Sequence, residues 1–132
     1  MRTPPAGSRA YRRHLRKHAE RLASAAFSET TVVAGNGAPI TDPLALALLR
    51  KAAVSVLKTC EPVLLTVPEA AAAAFDTKPT DAPVLGMAID IDGRFTWTCR
   101  PRRELPVLVL ELAALCGASG HPVLWAGVAG HA

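Results

Sequence analysis

Aromatic side chains are scarce in this chain, at 5% of 132 residues. A hydrophobic core has to be assembled mainly from Leu, Val and Ala. Cysteines are few. Cys60, Cys99 and Cys116 lie far apart with no C-x-x-C pair, which excludes a disulfide framework and fits a reducing, cytoplasmic setting. No apolar run approaches the roughly 20 residues of a membrane span. The nearest, Leu105 to Gly117, is interrupted by Glu111. The N-terminal stretch lacks the central apolar segment of a secretory signal. Gly-rich phosphate loops, G-x-S-x-G elbows and clustered acid pairs are missing, and with them the common sequence signs of an enzyme. We therefore expect no catalytic residues, no metal and no cofactor.

Negative charge is the other shortage, and it is local. Residues 1–59 hold ten Lys and Arg against Glu20, Glu29 and Asp42, whereas residues 60–132 hold five against eight acids, in a chain of net charge +4. Such a split points to an anionic partner for the first half, and its rival reading is a solvated face. Abundant Ala, Gly, Pro and Arg suggest a GC-rich bacterial genome.

The clearest structural signal is Val84 to Cys99, VLGMAIDIDGRFTWTC. Asp92-Gly93 lies between two runs of β-formers, the pattern of a hairpin. A two-residue loop would pair Ile91 with Arg94 and mix polar with apolar residues on both faces. A three-residue loop, Ile91-Asp92-Gly93, pairs Ile89 with Phe95, Met87 with Trp97 and Leu85 with Cys99. That register puts Leu85, Met87, Ile89, Phe95, Trp97 and Cys99 on one face and Gly86, Ala88, Asp90, Arg94, Thr96 and Thr98 on the other. The clean separation selects it.

Around the hairpin the chain reads as α-α-β-α-β-β-α-β. Ser8 can cap a helix to about Phe27, with a narrow stripe of Leu15, Ala19, Leu22, Ala23 and Ala26. The stripe is mostly alanine, so we expect loose docking. Thr30 to Ala34 reads as a short strand before an Asn36-Gly37 turn. Asp42-Pro43 opens a helix to about Thr59, its core face Leu46, Leu49, Ala53, Val56 and Leu57. Pro62 to Thr66 is a strand, and Thr66 with Glu69 matches a capping box for a short Ala-rich helix. Glu104 to Cys116 is a Leu-rich helix and His121 to Val128 a last strand. The fold class is α+β: a three- or four-stranded mixed sheet around the central 84–99 hairpin, helices mainly on one face, behind a basic N-terminal helix. Residues 1–41 form the arm and connector, and 42–132 the α+β domain.

Candidate chemistry is sparse. Asp90 and Asp92 could hold a hard cation, but the turn and cross-strand Arg94 explain them. His14 and His18 have chelating i, i+4 spacing, yet Arg16 and Lys17 between them oppose a metal ion. Cys99 could act as a thiolate beside Arg100, with His121 as base, but the register turns it toward the core. The strongest candidate is the cationic set Arg9, Arg12, Arg13, Arg16, Lys17 and Arg21, with Arg100, Arg102 and Arg103 as a secondary patch. Lys and Arg on a helix neutralise phosphates without reading bases. Tyr11, the lone aromatic among them, is no stacking platform. We expect a non-enzymatic accessory protein contacting nucleic acid without sequence selectivity, and no membrane. The alternative is a protein-interaction module, joining an acidic protein or a second copy through a sheet edge or the 104–116 helix.

Overall fold

A computed structural model describes residues 9–28, 32–34, 37–59, 61–89 and 94–118. The fold is α+β. Three strands, β1 (Val63–Thr66), β2 (Val84–Ile89) and β3 (Phe95–Arg100), form an antiparallel sheet in the order β1-β2-β3. Helices α1 (Arg9–Lys17), α2 (Ala19–Ala26), α3 (Pro43–Thr59) and α4 (Leu105–Ala118) surround it, with 3-10 turns at Glu69–Phe75, Pro79–Asp81 and Arg102–Glu104.

The hairpin register is the one the face alternation selects. Leu85 pairs with Cys99, Met87 with Trp97 and Ile89 with Phe95, while β1 joins the other side of β2 with Val63 opposite Met87 and Leu65 opposite Leu85. The turn at 90–93, with Asp90, Asp92 and Gly93, and the strand expected over 121–128 lie outside the described residues.

Alternation gives the sheet two faces, and each has its own cover. Leu85, Met87 and Ile89 face α3, which presents Leu46, Leu49, Val56 and Leu57, all buried. Each such side chain contributes about 1.5–3 kcal/mol by leaving water. α3 starts as its sequence predicts: Pro43 is its first residue, and the Asp42 carboxylate accepts a 2.9 Å bond from the Ala45 amide. The opposite face, Leu64, Val84 and Ala88, packs against Leu108 and Leu112 of α4. Three helices therefore stack on one side of the sheet and one on the other.

The N-terminal helix docks more firmly than its alanine content suggests. Tyr11, Leu15, Ala19, Ala23 and Phe27 are buried in the same core cluster as α3 and β2. Phe27 meets Phe95 of β3 with ring centroids 5.3 Å apart. The helix breaks its regularity at His18 (φ −109°, ψ 19°), but the bonds from the His18 amide to His14 and from the Leu22 amide to His18 persist, so α1 and α2 run on as a nearly continuous rod.

One local expectation is met in part and one is corrected. The segment read as a strand over Thr30 to Ala34 is described only at 32–34, where it pairs antiparallel with 38–40 through a single Val33–Pro39 bridge outside the main sheet, and the Gly37 amide bonds the Ala34 carbonyl at 2.9 Å. Gly37 sits at φ +86° with open space around it, so backbone conformation is its reason for being there. The capping box at Thr66 and Glu69 does not form. Thr66 ends β1, Pro68 occupies the cap with no side-chain bond, and Glu69 heads a 3-10 turn.

Candidate functional site

Burying one stripe of α1–α2 forces the rest of the rod outward. Arg9, Arg12, Arg13, Arg16, Lys17 and Arg21 are all exposed. From residue 9 to 21 the rod covers about 18 Å at ~1.5 Å per residue, so the cations form a continuous ridge. Among the described residues none of the six joins an ion pair. Glu20, the acid within this ridge, is exposed too.

The two histidines sit at the border between ridge and core. Their rings meet edge-on with centroids 4.9 Å apart. Partial burial, then the charges of Arg21, His14 and Lys17, lower the pKa of His18 below its ordinary value. Desolvation is the larger cause, and the neighbouring cations add to it. No group of three or more His, Cys, Asp or Glu that could hold a metal ion occurs among the described residues.

The secondary patch is arranged differently. Arg100 lies on the β3 face turned to α4, where its guanidinium bonds Glu111 and, at 2.8 Å, Glu104. The bond to Glu111 holds the Arg100 pKa above its ordinary value against the opposing effect of burial, and Glu104 adds to it. Arg103 pairs with Asp81 at 2.9 Å. Arg102 is half-buried. Arg100 therefore ties β3 to the 102–104 turn and to α4, and Arg103 ties the 102–104 turn to the 79–81 turn, so both are matched with acids as the ridge cations are not. The acids that would have revealed this, Asp81, Glu104 and Glu111, stood in the sequence; only Glu104 is near enough to Arg100 for its i, i+4 spacing to signal the pair.

Cys99 is half-buried on the inner face of β3. Burial pushes its thiol up to about 12, so at neutral pH it carries its proton and lacks the thiolate a nucleophile needs. His121, the proposed base, lies outside the described residues, as do Cys60 and the side chain of Cys116. No described helix is long and apolar enough to cross a membrane.

Comparison of the chain with protein-family models, curated proteins and solved structures finds no match, and the functional reading rests on the geometry of the α1–α2 ridge.

Proposed function

We propose that this protein is a small non-enzymatic accessory protein that holds nucleic-acid phosphates on the exposed ridge of α1–α2, without reading sequence. One contrast carries the reading. Arg100 and Arg103 are matched with acids from neighbouring elements, whereas the six cations of the ridge have no ion pair among the described residues. Like charges crowded on one rod repel each other, and a polyanion turns that repulsion into attraction by releasing its own counterions. The rod is anchored along its apolar stripe, so binding does not have to order it first. Guanidinium and ammonium groups meet phosphates in any sequence, and Tyr11, the aromatic that could have stacked on bases, is buried.

The test is anisotropy of a fluorescein-labelled duplex at low salt. Combining Arg12→Gln, Arg13→Gln, Arg16→Gln and Lys17→Gln weakens binding at least about tenfold, while the melting curve stays put, because all four side chains are exposed. Two unrelated duplex sequences bind alike. A folded variant that binds as the parent does overturns the proposal.

A second reading has its own observation. On α4, Leu110 is 70% and Val107 42% exposed, an apolar strip three residues apart on one helix face. That strip suits self-association or a protein partner, and such contact is insensitive to salt.

A further inference from the structure

Small buried side chains let the rod lie close on α3. Ala23, Ala52 and Ala53 are fully buried in the core the two share. The helices run antiparallel: Leu15 and Leu57 border one space, whereas Ser24 and Ala47 border another near the opposite ends. That second space is a hollow open to solvent, floored by Ala23 and Val54, with Arg50 and Lys51 of α3 across from Glu20 and Ser24 of α2. Glu20 continues the i, i+4 row of Arg12 and Arg16, so those two cations border the same furrow farther along the rod. Lys58 stands two turns beyond Lys51 on the same face of α3. In an antiparallel pair that places it at the level of Arg12 and Arg16. Arg50, Lys51 and Lys58 are exposed, and none of their side chains has an ion pair or hydrogen bond among the described residues.

We propose that α3 supplies a second cationic bank, and that the partner held between this bank and the ridge is double-stranded DNA, with the phosphates of one strand on each bank. The inference rests on the phosphate-binding reading of the ridge and names its substrate. Packed helices lie about 8–10 Å apart, and long side chains lean outward from that spacing. Two cation rows so placed fit the phosphates that flank a minor groove about 6 Å wide, and stand too close together for those across a major groove of about 12 Å. A single strand has one phosphate row for two banks, and its bases need aromatic faces to stack on. Among its described lining the hollow has no aromatic side chain, and Glu20 is its one acid against Arg50 and Lys51.

The experiment measures anisotropy of the full chain with a fluorescein-labelled DNA duplex and with one of its strands alone. The duplex is expected to bind at least about tenfold more tightly than the single strand. Combining Arg50→Gln, Lys51→Gln and Lys58→Gln weakens the duplex at least about tenfold and lowers its salt slope by about 2–3, at roughly 0.9 per lost phosphate contact. The same variant holds the single strand within about twofold of the parent, because the ridge is intact. Lys51→Glu alone, a reversal of charge at an exposed position, weakens the duplex about fivefold and keeps the test decisive should the triple variant not fold. A chain that binds neither nucleic acid contradicts ridge and second bank together. An α3 variant that binds duplex as the parent does, while loss of Arg12, Arg13, Arg16 and Lys17 weakens it, overturns the second bank alone. So does a parent that holds the single strand as tightly as the duplex.

Discussion

Gly86 lies directly beneath Leu108 and Leu112 of α4. A Cβ built there would lie 2.6 Å from a methyl of Leu108, 2.6 Å from one of Leu112 and 3.1 Å from one of Leu64. These are ends of leucine side chains, which can give, but two of them belong to one helix and must move together. Gly86→Ala is expected to cost about 1 kcal/mol and Gly86→Val about 2–3 kcal/mol, the range of overpacked cores. Denaturant unfolding measures both, and a neutral Gly86→Val would mean that α4 rides higher on the sheet. Cys99 gives a second residue-scale expectation. Its thiol reacts slowly with an alkylating reagent at pH 8 in the native protein and quickly in denaturant. The unfolded thiol ionises near its ordinary value of 9.0, the native one only at about 12. Above pH 9 the unfolded state holds fewer protons, so stability falls as pH rises through that window. Cys99→Ser flattens the fall, and a variant with the parent's alkaline profile would show that Cys99 is not its source.

At the scale of elements, the sequence was most legible where two independent signals agreed. The hairpin register followed from the alternation of Leu85, Met87 and Ile89 together with Phe95, Trp97 and Cys99, since any slip would mix the faces. α3 followed from its Asp42 cap and its leucine spacing. Signals that stood alone fared worse. The Thr66 and Glu69 spacing marked a cap that Pro68 and the 3-10 geometry displaced. The N-terminal stripe was judged by its alanines, but Tyr11 and Phe27 extend it at both ends, and small residues let α2 approach α3 closely. The space between α1–α2 and β3, bordered by Leu22, Phe95 and Trp97, was illegible altogether, because it joins segments remote in sequence. Anchoring of the rod sets up a contrast between its two sides. Leu15→Ala removes a side chain only 6% exposed and is expected to cost about 2–4 kcal/mol, whereas Arg16→Gln, one position on, changes stability by less than about 0.5 kcal/mol. Deleting residues 1–27 should abolish cooperative melting, since it uncovers α3 and Phe95. A truncated chain that melts as the parent does would show that the rod is an appendage.

The whole molecule is then a scaffold with a division of labour between its two sides. One side of the sheet carries α4 and an internally neutralised network, Arg100 and Arg103 with Asp81, Glu104 and Glu111. The other carries α3 and, outermost, a rod whose apolar stripe is spent on the core and whose cations face solvent. The most direct measurement of this account is the affinity of the full chain for a nucleic-acid duplex across a range of salt concentrations. Logarithmic affinity is predicted to fall linearly with logarithmic salt, with a slope of about −3 to −5 at roughly 0.9 per neutralised phosphate. The slope shrinks when Arg12, Arg13, Arg16 and Lys17 are replaced by Gln. A chain that fails to bind at low salt, or one whose binding ignores salt, would contradict the account.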